Sequence, residues 1–202
     1  MQHKRHRDIP AVANYRRAMS VLAALLVTLG NTGCTMMAPQ YAPLLENVQT
    51  LRNGGMYSAQ VAEFDSQPGQ QNENPLSIRG NTIVSPYGGN YAGYLAEALR
   101  QELALAKKWS QSADTTVTGM VLRNTVDGSG MNTGTADIAV RFVVKRSNQV
   151  RYEQVKSVHH EFPSAFAAAV AVPRAMQEYQ VAVQKLLGTL YADPAFFAAV
   201  KP

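Results

Sequence analysis

Few side chains in this 202-residue chain could do chemistry, and the most distinctive is a solitary thiol, Cys34. One cysteine cannot form an internal disulfide, so Cys34 is either a free buried thiol or a site of modification in its own right. Of four histidines, His3 and His6 lie in a basic leader, which leaves His159 and His160. Adjacent residues of a strand point to opposite faces, so these two cannot hold one metal from that strand. His159 and Glu161 do share a face, but zinc needs further ligands, and neither a third histidine nor a second cysteine is at hand. No metal or cofactor is expected. Gly128-Ser129-Gly130 has turn composition and lacks the Gly-x-Ser-x-Gly spacing of a nucleophile elbow. Pro86-Tyr87-Gly88-Gly89-Asn90-Tyr91-Ala92-Gly93 lacks the Lys-Ser/Thr of a phosphate-binding loop, which leaves close helix-to-strand packing as its reading. A Ser-His-Asp group can assemble from distant positions, so a periplasmic hydrolase stays open as a third reading. The expectation is nevertheless a non-enzyme with no catalytic residue. Glu102 is the remaining oddity, an acid on the apolar arc of a helix. It is either a buried acid with a raised pKa or a carboxylate at the interface edge paired with a basic strand residue.

Cys34 closes a three-part leader. A basic stretch to Arg17 is followed by the apolar run Ala18 to Leu29 and the small-residue exit Gly30-Asn31-Thr32-Gly33. This is the secretory pattern, and residues 1–33 are expected to be a cleaved signal peptide. A run of twelve residues at ~1.5 Å each falls well short of a ~30 Å hydrocarbon core, which disfavours a permanent transmembrane helix. The leader also carries the basicity. The formal charge is +5, but beyond Arg17 there are 14 basic against 13 acidic residues, a poor surface for nucleic acid.

Thr32-Gly33-Cys34 resembles a bacterial lipobox, with Asn31 standing where that pattern has an aliphatic residue. The resemblance implies that Cys34 carries diacylglycerol and palmitate and anchors the chain to a membrane. Several acyl chains make a stable anchor where one is marginal. By the enterobacterial sorting rule, Thr35 in place of Asp implies the outer membrane, with the body on the periplasmic face.

The elements behind these residues follow from pattern. Pro39, Pro43, Asn53, Gly54 and Gly55 suggest that residues 34–56 are a lipidated N-terminus and flexible tether, with a reach of roughly 25 Å. A short amphipathic turn through Tyr41, Leu44, Leu45, Val48 and Leu51 is the open alternative. Residues 57–202 form one domain. Met56 to Phe64 alternates as a strand, and Leu76 to Val84 is a small hairpin turning at Gly80-Asn81. Ser85-Pro86 is expected to open a helix running to Trp109. Strands follow over Thr115–Val126, Thr135–Arg146 and Val150–Phe162. In the middle one Ile138, Val140, Phe142 and Val144 share a face opposite Asp137, Arg141 and Lys145. Pro173 marks the first or second turn of a last long helix, whose stripe runs from Ala175 to Leu190. Asp193-Pro194 caps a short segment in which Phe196 or Phe197 either folds onto the core or docks a partner. Strand, helix, three-strand meander, helix gives an α+β fold, an antiparallel sheet with two helices on one face.

Leu95 to Leu103, Ala113-Asp114 leading into Val117-Thr118-Gly119, Phe142-Val143-Val144 and the helix around Leu186-Leu187 resemble the ABC-type transport auxiliary lipoproteins. They are also similar to the YajG-type lipoproteins. The resemblance implies a non-enzymatic lipoprotein that assists envelope lipid transport through contacts with an envelope protein partner. A regulatory or assembly lipoprotein for peptidoglycan or polysaccharide machinery is the alternative.

Overall fold

The computed structural model describes residues 34–69 and 71–201. The expected signal peptide, residues 1–33, lies outside them. Thr35 onward forms a compact unit of α+β class. Its centre is a meander of three long antiparallel strands, β6 (Thr115–Asp127), β7 (Thr133–Arg146) and β8 (Gln149–Pro163). Alternation in β7 sends Ala136, Ile138, Val140, Phe142 and Val144 into the core, as the sequence pattern requires. The β7–β8 turn is the two-residue pair Ser147-Asn148, both at positive φ (48° and 64°), which matches the right-handed twist of the flanking strands.

The expected first strand is broken. Only β2 (Gln60–Val61) and β3 (Asp65–Ser66) pair, both parallel to β6. Between them the chain detours to drop Phe64 into the core, its ring edge-on to Phe142 at 6.0 Å. The expected hairpin is present as β4 (Leu76–Ile78) and β5 (Asn81–Val84), but its turn is Arg79-Gly80. Both residues have positive φ, 51° and 75°, the backbone of a type I′ turn, and this moves the turn one residue upstream of the expected pair.

Two long helices lie on one face of the sheet, as expected, and a shorter one packs on them. The segment expected as a flexible tether is built into the domain from Thr35 onward. β1 (Thr35–Met37) pairs parallel to β5, and α1 (Leu45–Asn53) packs on the two long helices. Tyr41, Val48, Leu51 and Met56 are buried, each contributing about 1.5–3 kcal/mol, so prolines and glycines here shape a folded segment. The next helix, α2 (Tyr91–Leu105), begins five residues later than the cap Ser85 and Pro86 suggest. Ser85 instead receives the Tyr87 amide in a local turn, Gly88 and Gly89 take positive φ, and Asn90 caps the helix by accepting from the Gly93 amide at 2.6 Å. Last comes α3 (Ala168–Tyr191), with Pro173 in its second turn and the whole stripe from Ala175 to Leu190 buried. α2 lies over β6, and α3 over β7 and β8. The short α4 (Pro194–Ala199) turns Phe196 fully into the core and lays Phe197 against Gly54, the packing alternative of the two considered. Among the described residues no helix is long and apolar enough to cross a membrane.

Candidate functional site

Cys34 is an exposed free thiol, and the residue bonded to it is already the first of β1. The ladder continues with the Ala38 amide donating to Val84 O at 2.9 Å, and the Tyr41 amide donates to the Tyr87 hydroxyl at 3.0 Å. The chain is therefore held to the domain immediately after the thiol.

Glu102 is fully buried, and the acid reading is the one the structure bears out. Among the described residues no basic strand residue partners it. Its Oε1 accepts from the Tyr41 hydroxyl at 2.6 Å, the Leu44 amide at 3.1 Å and Asn47 Nδ2 at 3.2 Å, and Oε2 accepts from the same Nδ2. Asn47 also donates to Gln184 O at 2.9 Å, so this one carboxylate joins α1, α2 and α3. Burial raises its pKa, and the donors offset part of that rise. The Tyr191 hydroxyl is buried beside the same carboxylate, and desolvation and the nearby charge hold its own pKa high, but among the described residues no partner meets it in hydrogen-bonding geometry. These partners come from the N-terminal segment, so the cluster is a latch with no access for a substrate.

The two histidines do face opposite ways. His159 is exposed on the open face of the sheet, 2.8 Å from Asp137 and 3.5 Å from Glu161. Its pKa is raised first by the hydrogen bond to Asp137, then by that residue's charge. His160 is buried under α3, with Nδ1 2.9 Å from Lys185 and Nε2 2.7 Å from Glu178. Lysine can only donate, so Nδ1 accepts and Nε2 carries the hydrogen given to Glu178. Among the described residues no group of three potential ligands is placed to hold a metal.

One functional-looking cluster had no signal in the sequence. Arg79, in the β4–β5 turn, spends its guanidinium on five backbone carbonyls. Nε donates to Gly128 O at 2.6 Å and Nη1 to Phe166 O at 2.6 Å, while Nη2 reaches Ser129, Gly130 and Ala165. Gly128-Ser129-Gly130 is thus a turn held from outside, with the Ser129 amide also donating to Asp127 at 2.7 Å. Arg79 welds the β6–β7 loop to the β8–α3 loop.

The turn before α2 packs closely on its first residues at one point, where a side chain at Gly93 would meet the Tyr87 carbonyl. Beside it runs an open groove of about 400 Å³ lined by Val61, Phe64, Tyr87, Glu97 and Arg100. Arg100 donates to Glu97 through Nε at 2.6 Å and lies 5.5 Å over the Trp109 ring, and the ion pair holds the Glu97 carboxyl below its usual range. Glu63 lines the same groove, so its ionisable walls are Glu63, Tyr87, Glu97 and Arg100.

The surface that remains is β8. Among the described residues it pairs with β7 on one side only and forms the edge of the sheet, fifteen residues long. Arg151, Glu153, Glu161 and half-exposed Val155 lie on its outer side. Charges along an edge oppose indiscriminate pairing with another strand.

No protein-family model matches the chain, and no curated protein matches its sequence. Several solved structures resemble it in outline. A Xanthomonas campestris protein of the family model DUF330 is 14% identical, with 80% of this chain and 93% of that one aligned at a TM-score of 0.49. A Caulobacter crescentus protein classed provisionally as a lipoprotein is also 14% identical, over 78% of this chain and 98% of that one, at a TM-score of 0.44. A minor lipoprotein from Acinetobacter baumannii is 10% identical, over 69% and 91%, at a TM-score of 0.39. All three lie below a TM-score of 0.5 and fix neither family nor activity.

Proposed function

We propose that this chain is a bacterial envelope lipoprotein, acylated at Cys34 and held on the periplasmic face of the outer membrane. It acts without catalysis of its own, assisting envelope lipid transport by contact with a protein partner. The observation that carries this reading is the free edge of β8, fifteen residues long and bordered by the polar, open face of the sheet. Strand addition there supplies main-chain hydrogen bonds for affinity, and the alternating side chains supply selectivity. The position of Cys34 supports the anchor, because the thiol is exposed where the leader ends and the fold begins.

The test is a photo-crosslinking amino acid placed at Val155 in the full-length protein, in cells. An adduct with a component of a lipid transporter is the expected product. An adduct with a cell-wall or polysaccharide synthase replaces this reading with the assembly-factor alternative, and absence of any adduct from β8 removes the edge-strand mechanism.

A further inference from the structure

One end of the domain carries an apolar surface that folding leaves bare. From Ala165 to Val172 every side chain is apolar, and the next charged residue is Arg174. Phe166 is 81% exposed and Val170 51%, and Ala167, Ala168 and Ala169 are exposed between them. Met131, 65% exposed, lies in the neighbouring loop, where the Ser164 amide donates to Asn132 O at 2.8 Å. A bare phenylalanine on a wandering loop would mean little, but this one is pinned, since Arg79 binds its carbonyl and that of Ala165. The exposure is therefore built into the fold and carries the full hydrophobic cost of a wetted ring.

The same surface lies where the chain begins its fold. Ala168, Ala169, Val172 and Pro173 line a small groove together with Met36 and Asn81. Met36 is two residues past Cys34, at most ~7 Å along the chain. Charge points the same way. The loops 128–132 and 163–167, the turn Arg79-Gly80 and the first turn of α3 contain no Asp or Glu, and the one acid that borders them, Asp127, is tied to the Ser129 amide at 2.7 Å beside Arg79. Arg174 is exposed one helical turn beyond Val170, and the N-terminus of α3 has no side-chain cap, so both the residue and the helix end favour anions.

We propose that this end of the domain rests in the lipid surface, with Phe166 and Val170 inserted among the headgroups and Arg174 against anionic lipid. The proposal rests on the lipoprotein reading and adds to it an orientation: the Arg79 end faces the bilayer. A ring on a pinned loop and a diacyl chain at the same end act as two linked anchors, and two signals hold a protein on a membrane where one does not.

The test uses the full-length product purified from cells with Phe166→Trp, reconstituted in phosphatidylethanolamine–phosphatidylglycerol vesicles whose acyl chains carry bromine. The parent protein, with Trp109 as its one tryptophan, supplies the background. At 81% exposure the substitution leaves the core untouched, and circular dichroism verifies the fold. The expected result is loss of most of the added emission to bromine while Trp109 keeps its own. Mass spectrometry of the same sample reads Cys34 independently. Acylated protein whose added tryptophan stays bright overturns the contact and leaves the lipoprotein reading intact. Blue-shifted emission that bromine does not quench puts protein, a second copy included, over residue 166 and overturns the contact as well. An unacylated Cys34 overturns the lipoprotein reading. The contact then survives only if the unanchored chain still partitions onto the vesicles and Phe166→Ser lowers that partition about tenfold or more.

Discussion

Truncating Glu102 should release the N-terminal segment from the domain. Glu102→Ala leaves the buried Tyr41 hydroxyl, the Leu44 amide and one hydrogen of Asn47 without an acceptor, at about 1–3 kcal/mol each. It also removes a desolvated carboxylate, which offsets part of that loss. The net cost is about 3–5 kcal/mol, as for breaking a buried charged network. In a domain of this size each kcal/mol moves Tm by about 2–4 °C, so the melting point should fall by about 10 °C. Glu102→Gln behaves differently. It keeps an acceptor at Oε1 for the Tyr41 hydroxyl and the Leu44 amide, and loses only Oε2, whose donor Asn47 Nδ2 also reaches Oε1 at 3.2 Å. The sign of the pH effect follows from burial, which raises the folded pKa above the ~4.3 of an unfolded glutamate. The folded protein then binds the proton more readily than the unfolded chain. The stability this contributes is fully present below ~4.3 and is lost as pH rises through the folded pKa. The difference between parent and Glu102→Gln should therefore shift in favour of the glutamine variant as pH is raised from 4 to 8. Urea unfolding across that range, with both variants, is the assay. Equal losses for Ala and Gln at every pH, or a difference that moves toward the parent with rising pH, would refute the account of this cluster.

Arg79→Lys should fail nearly as badly as Arg79→Ala, because an ammonium cannot serve five carbonyls in a fork; amide exchange in 128–132 and 164–167 should quicken in both. Ser147→Gly should raise the urea midpoint, with a gain of about 0.5–1 kcal/mol, since Ser147 holds a φ of 48° that glycine adopts freely. Asp137→Asn should lower the titration midpoint of His159 in NMR toward the ordinary ~6.5, because the hydrogen bond and charge of Asp137 are what raise it; an unchanged midpoint would assign the rise to Glu161.

Much of the scaffold was legible because its periods are written directly in the chain. The alternation of β7 and the stripe of α3 each bury the residues that the pattern selects. Residues 34–56 were harder. Pro39, Pro43, Gly54 and Gly55 have the composition of a linker, and only the spacing of Tyr41, Val48 and Leu51 hinted at the buried face of α1. That misreading hid the partners of Glu102. The helix arc marked the acid as anomalous, but its donors lie 55 to 61 residues away, in the segment expected to be a tether. Arg79 left no trace at all, since its five carbonyls are main-chain atoms and carry no residue signature. Ser85-Pro86 misled for a local reason. A serine that satisfies the Tyr87 amide forms a turn and cannot also cap a helix that begins at Tyr91.

The β1–β5 ladder that starts at Thr35 deprives the protein of a leash. An acyl group on the preceding cysteine would seat the body directly at the interface, with no slack to search the space above it. The sheet would then stand as a post of set height, since β7 has 14 residues and spans about 45 Å at ~3.3 Å apiece. Whatever engages its flank must come down to meet it.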